Sequence, residues 1–392
     1  MTVTFNVDSY LSRFDVSPMR GFLPEKDPQI LDDSWLNPWD SIAREMPHLL
    51  AAGTFRNWID QMPLAWFEQI ARSDPEWAMR WLSFFAHGYV WGAPGEKPIA
   101  KIPQSVAVPL CYVAKKLGRP PALSYASYVL QNWRPLVLSY DRSRYLNLEK
   151  IAVIQGFLGG VDEQWFIMVH VAIEQAAAPG LMALAEAKDA IAHGDDDRLA
   201  ELLHSAAAYM HMMAAILKKM PERCDPRIYY HRVRPYLYGW GLHTPLPQGV
   251  VYEGVDEFSG EPQAFRGETG AQSSVIPVYV AALGIQYGED ALVQHTKDML
   301  RYMPVGHRAF VEEMGGGASI RKYVLARRDN QWLLNAYNHC VCNVARFLEQ
   351  HYKFAVEYIH KPSGEKERGG TGGTQYLEYL RSHYKEVELH II

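Results

Sequence analysis

Apolar residues in this chain recur mostly three and four positions apart, the spacing of a helix face, and no run of alternating positions marks a strand series. The N-terminal stretch carries scattered prolines and short apolar runs, which predict loops and short helices. Helical spacing begins at Ser41–Leu50 and returns through Trp66–Phe85. Lys97–Pro109 is rich in proline and predicts irregular chain, while Ala122–Trp133 predicts a further helix. Pro135 and the polar run Tyr140–Arg144 then mark a candidate boundary near residue 150.

Beyond that boundary the helical signal strengthens. Glu163–Ala178 is apolar nearly all round and reads as a buried helix that Pro179-Gly180 ends. Leu181–His193 and Arg198–Met220 read as a pair joined by Gly194 and three aspartates, residues suited to a helix N-terminus. In the second of the pair, Leu199, Leu202, Leu203, Ala206, Met210, Met213, Leu217 and Met220 keep one face, and Pro221 stops it. Ile228–Trp240 follows as a helix, and Leu246–Gly270 as a polar connection. Ser274–Gly284 is apolar and β-branched, so strand and buried helix both fit. Trp332–Ile359 is the last strong helix, roughly 40 Å long at 1.5 Å per residue. His360–Thr374 has the composition of a mobile loop, and Gln375–Tyr384 is a short amphipathic helix. The expected fold is all-α. A small N-terminal helical domain covers 1–150 and a larger helical bundle 151–392.

Composition narrows the function classes. Hydrophobic residues make up 48% and charged residues 21% of 392, enough for a large core. A net charge of −5 offers neither a nucleic-acid footprint nor a polybasic membrane surface. The four cysteines lack the spacing of a disulfide framework, and the N-terminal residues lack a basic region followed by an apolar one. Thr269–Gly288, the least charged stretch, is interrupted by polar residues, so a soluble cytoplasmic protein is expected. Tyr, Phe and Trp number 23, 14 and 11. Such aromatic content suits a core of large rings, and equally a pocket for a flat ligand.

Two histidines stand out. His351 shares a helical stripe with Val344, Phe347, Leu348, Phe354, Ala355 and Tyr358. A buried imidazole there should be neutral and bonded to something, either a backbone carbonyl or an iron. Spacing alone favours the carbonyl. His170 sits similarly among Phe166, Ile167, Ile173 and Ala177. Other motifs are weaker. Cys340 and Cys342 point to different sides of a helix, and His204 and His211 are two turns apart, too far for one metal. Gly369–Thr374 lacks the Lys-Ser/Thr and preceding strand of a phosphate loop. No HExxH occurs, and Ser273-Ser274 has no nucleophile-elbow context.

Eight segments taken together resemble the indoleamine 2,3-dioxygenase family. They are SYASYVLQNW (124–133), GGVDEQWFIMVHVAIEQAAA (159–178), RVRPYLYGW (232–240), GVVYEGV (249–255), GETGAQSS (267–274), YMPVGHRAF (302–310), EQHYKFAVEYI (349–359) and GTGGT (370–374). They occur in the family's order, and the N-terminal third matches less distinctly. The resemblance implies haem b between two helical domains, with O₂ as co-substrate and His351 as the proximal iron ligand. It implies that Arg234 holds the substrate carboxylate and that Tyr125, Phe166 and Tyr229 line the pocket, Tyr229 replacing a phenylalanine. It places Thr269 and Gly270 on the ligand side and Thr371 in a loop that closes over the substrate. His170 stands where animal members carry serine; the related tryptophan 2,3-dioxygenases place a histidine on the distal side, and His170 is likewise expected to accept a hydrogen bond from the indole N–H. Val280 and Leu348 are apolar where an acid and an arginine were expected on the proximal side.

The resemblance therefore implies oxidative opening of the indole C2–C3 bond, with L-tryptophan converted to N-formylkynurenine. An electron donor would keep the haem ferrous. The alternatives are an oxygenase of the same superfamily acting on a modified indole, and a haem protein that binds O₂ without turnover.

Overall fold

The computed structural model describes residues 5–28, 37–64, 74–136, 147–288, 291–364, 369–371 and 376–392. Helices supply nearly all of their regular structure, as the spacing predicts. The N-terminal part carries α1 (Val7–Ser12), α2 (Asn37–Ala51), α3 (Phe55–Asp60), α4 (Pro75–Trp91) and α5 (Gln104–Leu117). Asp74 caps α4 by accepting the Trp77 N–H at 3.0 Å, and Pro75 opens its first turn. From Trp77 to Trp91 every residue of α4 is buried, so this helix forms the centre of its neighbourhood.

Three helices form the frame of the rest. α6 (Val161–His193) packs along α7 (Asp196–Leu217), which packs along α12 (Gln331–Ala355). Around them lie α8 (Val275–Ala282), α9 (Ala291–Leu300), α10 (Val305–Gly315), α11 (Ile320–Leu325) and α13 (Tyr376–Glu388). Asp195 accepts the Arg198 N–H at 2.9 Å and caps α7, the role its position predicted. Asn330 caps α12 in the same way. Most buried apolar residues from Leu11 to Val387 form one connected cluster, with a small second one at Ala355, Tyr376 and Leu380.

Several expected boundaries differ, each for a packing reason. Pro179-Gly180 does not end a helix. α6 runs on for 33 residues, about 50 Å. A proline in a helix interior costs ~3 kcal/mol. Ala176, Ala177, Ala178 and Leu181 are all buried around it and offset that cost. Gly180 belongs to the same contact, because a Cβ there would collide with the Tyr279 hydroxyl of α8. α6 is long and apolar enough to cross a membrane by composition, but most of it is buried in protein as a core helix.

Pro109 likewise lies inside α5, where Val106, Ala107, Leu110, Val113 and Ala114 are buried. Helix was expected across Ala122–Trp133, but only the single π turn Ala126–Leu130 forms. Asn132 stops it. Its Nδ2 donates to Tyr128 O at 3.0 Å and Gln155 O at 2.8 Å, and its Oδ1 accepts the Gln155 N–H at 2.8 Å. Two small sheets lie outside the helical prediction. β1 (Lys101–Ile102) pairs in parallel with β4 (Val251–Tyr252). β2 (Trp133–Pro135) pairs antiparallel with β3 (Ile151–Val153), Arg134 opposite Ala152. Ser274–Gly284 resolves to the helix α8. The proposed helix over Ile228–Trp240 breaks into a π turn, Tyr229–Val233, and one helical turn, Arg234–Leu237. Tyr140–Arg144 lies outside the described residues.

Candidate active site

Phe166 and His170 sit one turn apart on α6. Around them Ile167, Met168, Val169 and Val171 are fully buried, yet these two rings are only half-buried. Protein surrounds His170 on all sides, so the accessible part of its ring faces an internal cleft. Its Nδ1 lies 2.8 Å from the Phe166 carbonyl oxygen. A carbonyl only accepts, so Nδ1 carries the proton and Nε2 is left with a lone pair. Burial lowers the His170 pKa, against the opposing pull of that backbone bond.

On α12 and the π turn that follows it, Val344, Leu348, Ala355 and Tyr358 are buried as predicted, but Phe347, His351 and Phe354 are half-buried. The stripe has a window, and His351 stands in it. Burial, and secondarily the charge of His170, lower the His351 pKa to about 4, so the ring is neutral at neutral pH. The two imidazoles are thus within electrostatic reach of each other. Neither ring nitrogen of His351 meets a hydrogen-bonding partner among the described residues. The expected backbone carbonyl is not there.

Aromatic rings fill the wall between them. Phe166 packs on His170 with centroids 4.5 Å apart and stacks on Tyr229 at 4.7 Å, and Tyr125 meets His170 edge-on at 6.1 Å. The Tyr125 hydroxyl donates to Glu174 Oε1 at 2.9 Å, and its backbone N–H donates to Gln272 Oε1 at 2.9 Å. Gln272 Nε2 donates to Gly267 O at 2.8 Å, and Ser273 Oγ donates to Glu174 Oε1 at 2.6 Å. These bonds tie the Gly267–Ser274 stretch to Tyr125. Thr269 caps the short turn Gly270–Gln272. A Cβ on Gly270 would lie 4.0 Å from His351 Nε2, which sets this stretch beside that imidazole.

Arg234 is 1% exposed. Its Nη2 donates to Gly369 O at 2.9 Å, its Nη1 donates to the Tyr238 hydroxyl, and its guanidinium lies 4.7 Å over the Tyr238 ring. Arg232, two residues earlier, is exposed. Gly369 begins the glycine-rich loop, in which Thr371 is half-buried; Gly372–Thr374 fall outside the described residues. The three π turns among the described residues all adjoin the site. One follows Tyr125, one runs from Tyr229 to the residue before Arg234, and one begins five residues after His351. A π turn inserts one residue into the helical register and re-aims the side chains beyond it.

Several residues that hold this arrangement carry no pattern that singles them out. His87 of α4 donates from Nδ1 to Tyr236 O at 2.8 Å and accepts the Leu123 N–H at Nε2, 3.0 Å away. It clamps the Arg234 segment to the Tyr125 segment. Trp91 Nε1 donates to Tyr238 O at 3.0 Å, and the Tyr236 hydroxyl donates to Gly92 O at 2.9 Å. Gly239 and Gly267 bring their backbones into contact, leaving no room for a Cβ on either. Glu174 and Glu268 were also missed. The first is recognisable only through its bonds to Tyr125 and Ser273, and the second lies inside the quoted GETGAQSS motif.

The weaker motifs stay apart from this site. His204 packs against Trp332 with tilted rings 4.5 Å apart and lies near His339. Cys340 is buried, which pushes its thiol pKa up to about 12, and all four cysteines are free. Among the described residues, no three His, Cys, Asp or Glu gather as metal ligands. Val280 is half-buried and Leu348 buried.

Comparison with known proteins identifies the family. The family model described as indoleamine 2,3-dioxygenase matches residues 10–388. Indoleamine 2,3-dioxygenase 1 of Rattus norvegicus is 32% identical over 389 residues, covering 95% of this chain and 93% of its own. Indoleamine 2,3-dioxygenase 2 of Homo sapiens is 30% identical over 390 residues, again 95% and 93%. Indoleamine 2,3-dioxygenase acdA of Aspergillus candidus is 31% identical over 392 residues, with 95% of each chain covered. The chain belongs to the indoleamine 2,3-dioxygenase family and is a dioxygenase.

Proposed function

We propose that this protein opens the indole C2–C3 bond of L-tryptophan with O₂, giving N-formylkynurenine, and that haem b anchored by His351 serves the reaction. One observation carries the reading: a neutral, unbonded imidazole in a window of α12 lies within electrostatic reach of a second neutral imidazole across an aromatic-walled cleft. The chemistry of these residues fits the cofactor. A single neutral histidine is a good axial ligand for haem iron, and flat aromatic walls suit a macrocycle and an indole alike. When bound, the haem supplies the activation of O₂.

The chain's own residues then bind and orient. Arg234, buried and pointing a planar fork of N–H donors, clamps the amino-acid carboxylate through two parallel hydrogen bonds. His170, with its proton fixed on Nδ1 by the Phe166 carbonyl, accepts the indole N–H at Nε2. Phe166, Tyr229 and Tyr125 hold the ring plane. The loop bearing Gly369 and Thr371 already touches Arg234, so it is placed to close over the carboxylate end and exclude water. Thr269 and Gly270 are read as lining the substrate side, on the stretch that Gln272 ties to Tyr125. The free state of all four cysteines fits a reducing, cytoplasmic setting, and the reaction would need an external electron donor to keep the haem ferrous.

An absorption spectrum of the purified protein, with and without L-tryptophan, tests the cofactor. Turnover in ¹⁸O₂ followed by mass spectrometry tests the reaction. Two labelled oxygens in the product are expected. One labelled oxygen, or none despite full haem loading, would replace this reading with mono-oxygenation or with simple O₂ binding.

A further inference from the structure

Two polar groups in the pocket wall have no hydrogen-bonding partner among the described residues. One is the Glu268 carboxyl, 3% exposed, and the other is the Tyr229 hydroxyl, 8% exposed. The other two acids buried here each make side-chain hydrogen bonds, although Glu174 Oε2 has no partner. Glu174 accepts from Tyr125 and Ser273, and Glu163 accepts the Phe157 and Leu158 N–H groups at 2.9 and 2.7 Å. A buried acid without a partner is costly to the fold, and a protein gains nothing in stability from keeping one. Such a group is accounted for when a ligand supplies its partner.

Its place in the cleft is set by its neighbours. The Glu268 N–H donates to Leu237 O at 3.0 Å, and the adjacent Gly267 lies against Gly239, so backbone contacts pin this residue. Its charge is among the strongest acting on Tyr125, Tyr128 and Tyr229. Tyr125 packs on His170, while Tyr128 and Tyr229 pack on Phe166. Arg234 figures among the strongest charges on Tyr229 alone of these three. Tyr229 is thus within electrostatic reach of both the acid and the guanidinium. Burial raises the Glu268 pKa to about 8, so at neutral pH the side chain is mainly a neutral acid that can both donate and accept.

We propose that Glu268, with the Tyr229 hydroxyl, is a specificity site for an indole carrying a hydrogen-bonding substituent, a hydroxyl or amino group, on its six-membered ring. The inference rests on the proposed reaction, since it assumes that Arg234 holds the carboxylate and His170 the indole N–H. The six-membered ring is then the part of the substrate left for Glu268 and Tyr229 to read. A hydroxyl there gives Glu268 and Tyr229 the partners they lack. A methyl group of similar size leaves both unsatisfied, and it is that penalty which discriminates.

The test compares tryptophans bearing a hydroxyl or a methyl at ring positions 4, 5, 6 and 7. Both kcat/KM and the Kd of the ferric holoprotein by calorimetry are read for wild type, Glu268→Gln and Glu268→Leu. At one or more positions the wild type should favour hydroxyl over methyl by at least ~10-fold in both measures. Glu268→Gln should keep part of that ratio, and Glu268→Leu should abolish or invert it. Glu268→Leu should also melt at the same temperature or higher, because it removes an unsatisfied buried acid; a purely structural glutamate would lower it. A hydroxyl-to-methyl ratio near one at every position, or a ratio that survives Glu268→Leu, overturns the inference even if tryptophan turns over normally. Failure of every indole to turn over would overturn the proposed reaction instead, and the calorimetric ratio would still decide whether Glu268 selects the ligand.

Discussion

Replacing Arg234 with leucine removes the one buried guanidinium at the carboxylate end of the cleft while roughly keeping its apolar volume. The side chain is 1% exposed and lies over Tyr238 at 4.7 Å, so its charge works out of water, where a carboxylate partner is worth most. Two parallel charge-assisted hydrogen bonds at ~1.5–3 kcal/mol each set the scale, and truncating one partner of such a pair costs ~2–5 kcal/mol. At 1.36 kcal/mol per tenfold, kcat/KM for L-tryptophan should fall by roughly 10²–10³. An indole without a carboxylate, such as 3-methylindole, should lose less than ~5-fold in the same variant. Arg234→Lys should fall between them for tryptophan, because an ammonium keeps the charge and loses the fork. The assay is steady-state turnover of both substrates, normalised to haem content. Equal losses on tryptophan and on 3-methylindole would show that Arg234 acts by holding Tyr238 and Gly369 in place, not by binding substrate.

Three further outcomes are expected. His351→Ala should strip or badly weaken haem binding while barely shifting the melting temperature of the haem-free protein, since no described residue bonds to that ring; an unchanged Soret band refutes the assignment. His170→Leu should cost tryptophan ~5–10-fold in kcat/KM, the worth of one hydrogen bond, and cost 1-methyltryptophan, which has no N–H to donate, almost nothing. A parallel loss on both substrates would remove His170 from that role. His87 is fully buried with its pKa lowered to about 4 by desolvation, so the unfolded chain takes up a proton near pH 6.5 that the native state refuses. Stability should therefore fall as pH drops from about 6.5 toward 4, by up to ~3 kcal/mol from this residue, and His87→Gln should flatten that part of the curve. Superimposable pH profiles for the two proteins would contradict it.

The helical frame was legible because period-3.6 patterning depends only on local side-chain order. Asp195 and Asn330 cap the helices they were positioned to cap, and the stripe through Val344, Leu348 and Tyr358 is buried. The prolines misled. Pro109 and Pro179 read as helix breakers, yet each is carried through by packing on either side. The reverse held at Asn132, whose side chain captures backbone groups of Tyr128 and Gln155 and ends a helix that apolar spacing would have continued.

What the sequence determined by itself was the set of long amphipathic helices and, through its motifs, the kinship of the chain. It could not show that His351 stands in an open window of its stripe, since the missing neighbours at that window are absences on other elements. His87 joins segments 36 and 149 residues away, and Gln272 reaches 147 residues to Tyr125. Glu268 lacks a hydrogen-bonding partner among the described residues because of how distant segments pack around it, which no local pattern encodes. Local spacing specifies which face of a helix is buried, because that preference is settled within a few turns. Which polar groups end up satisfied inside the core is settled by contacts between segments far apart in the chain, and only the tertiary structure decides those.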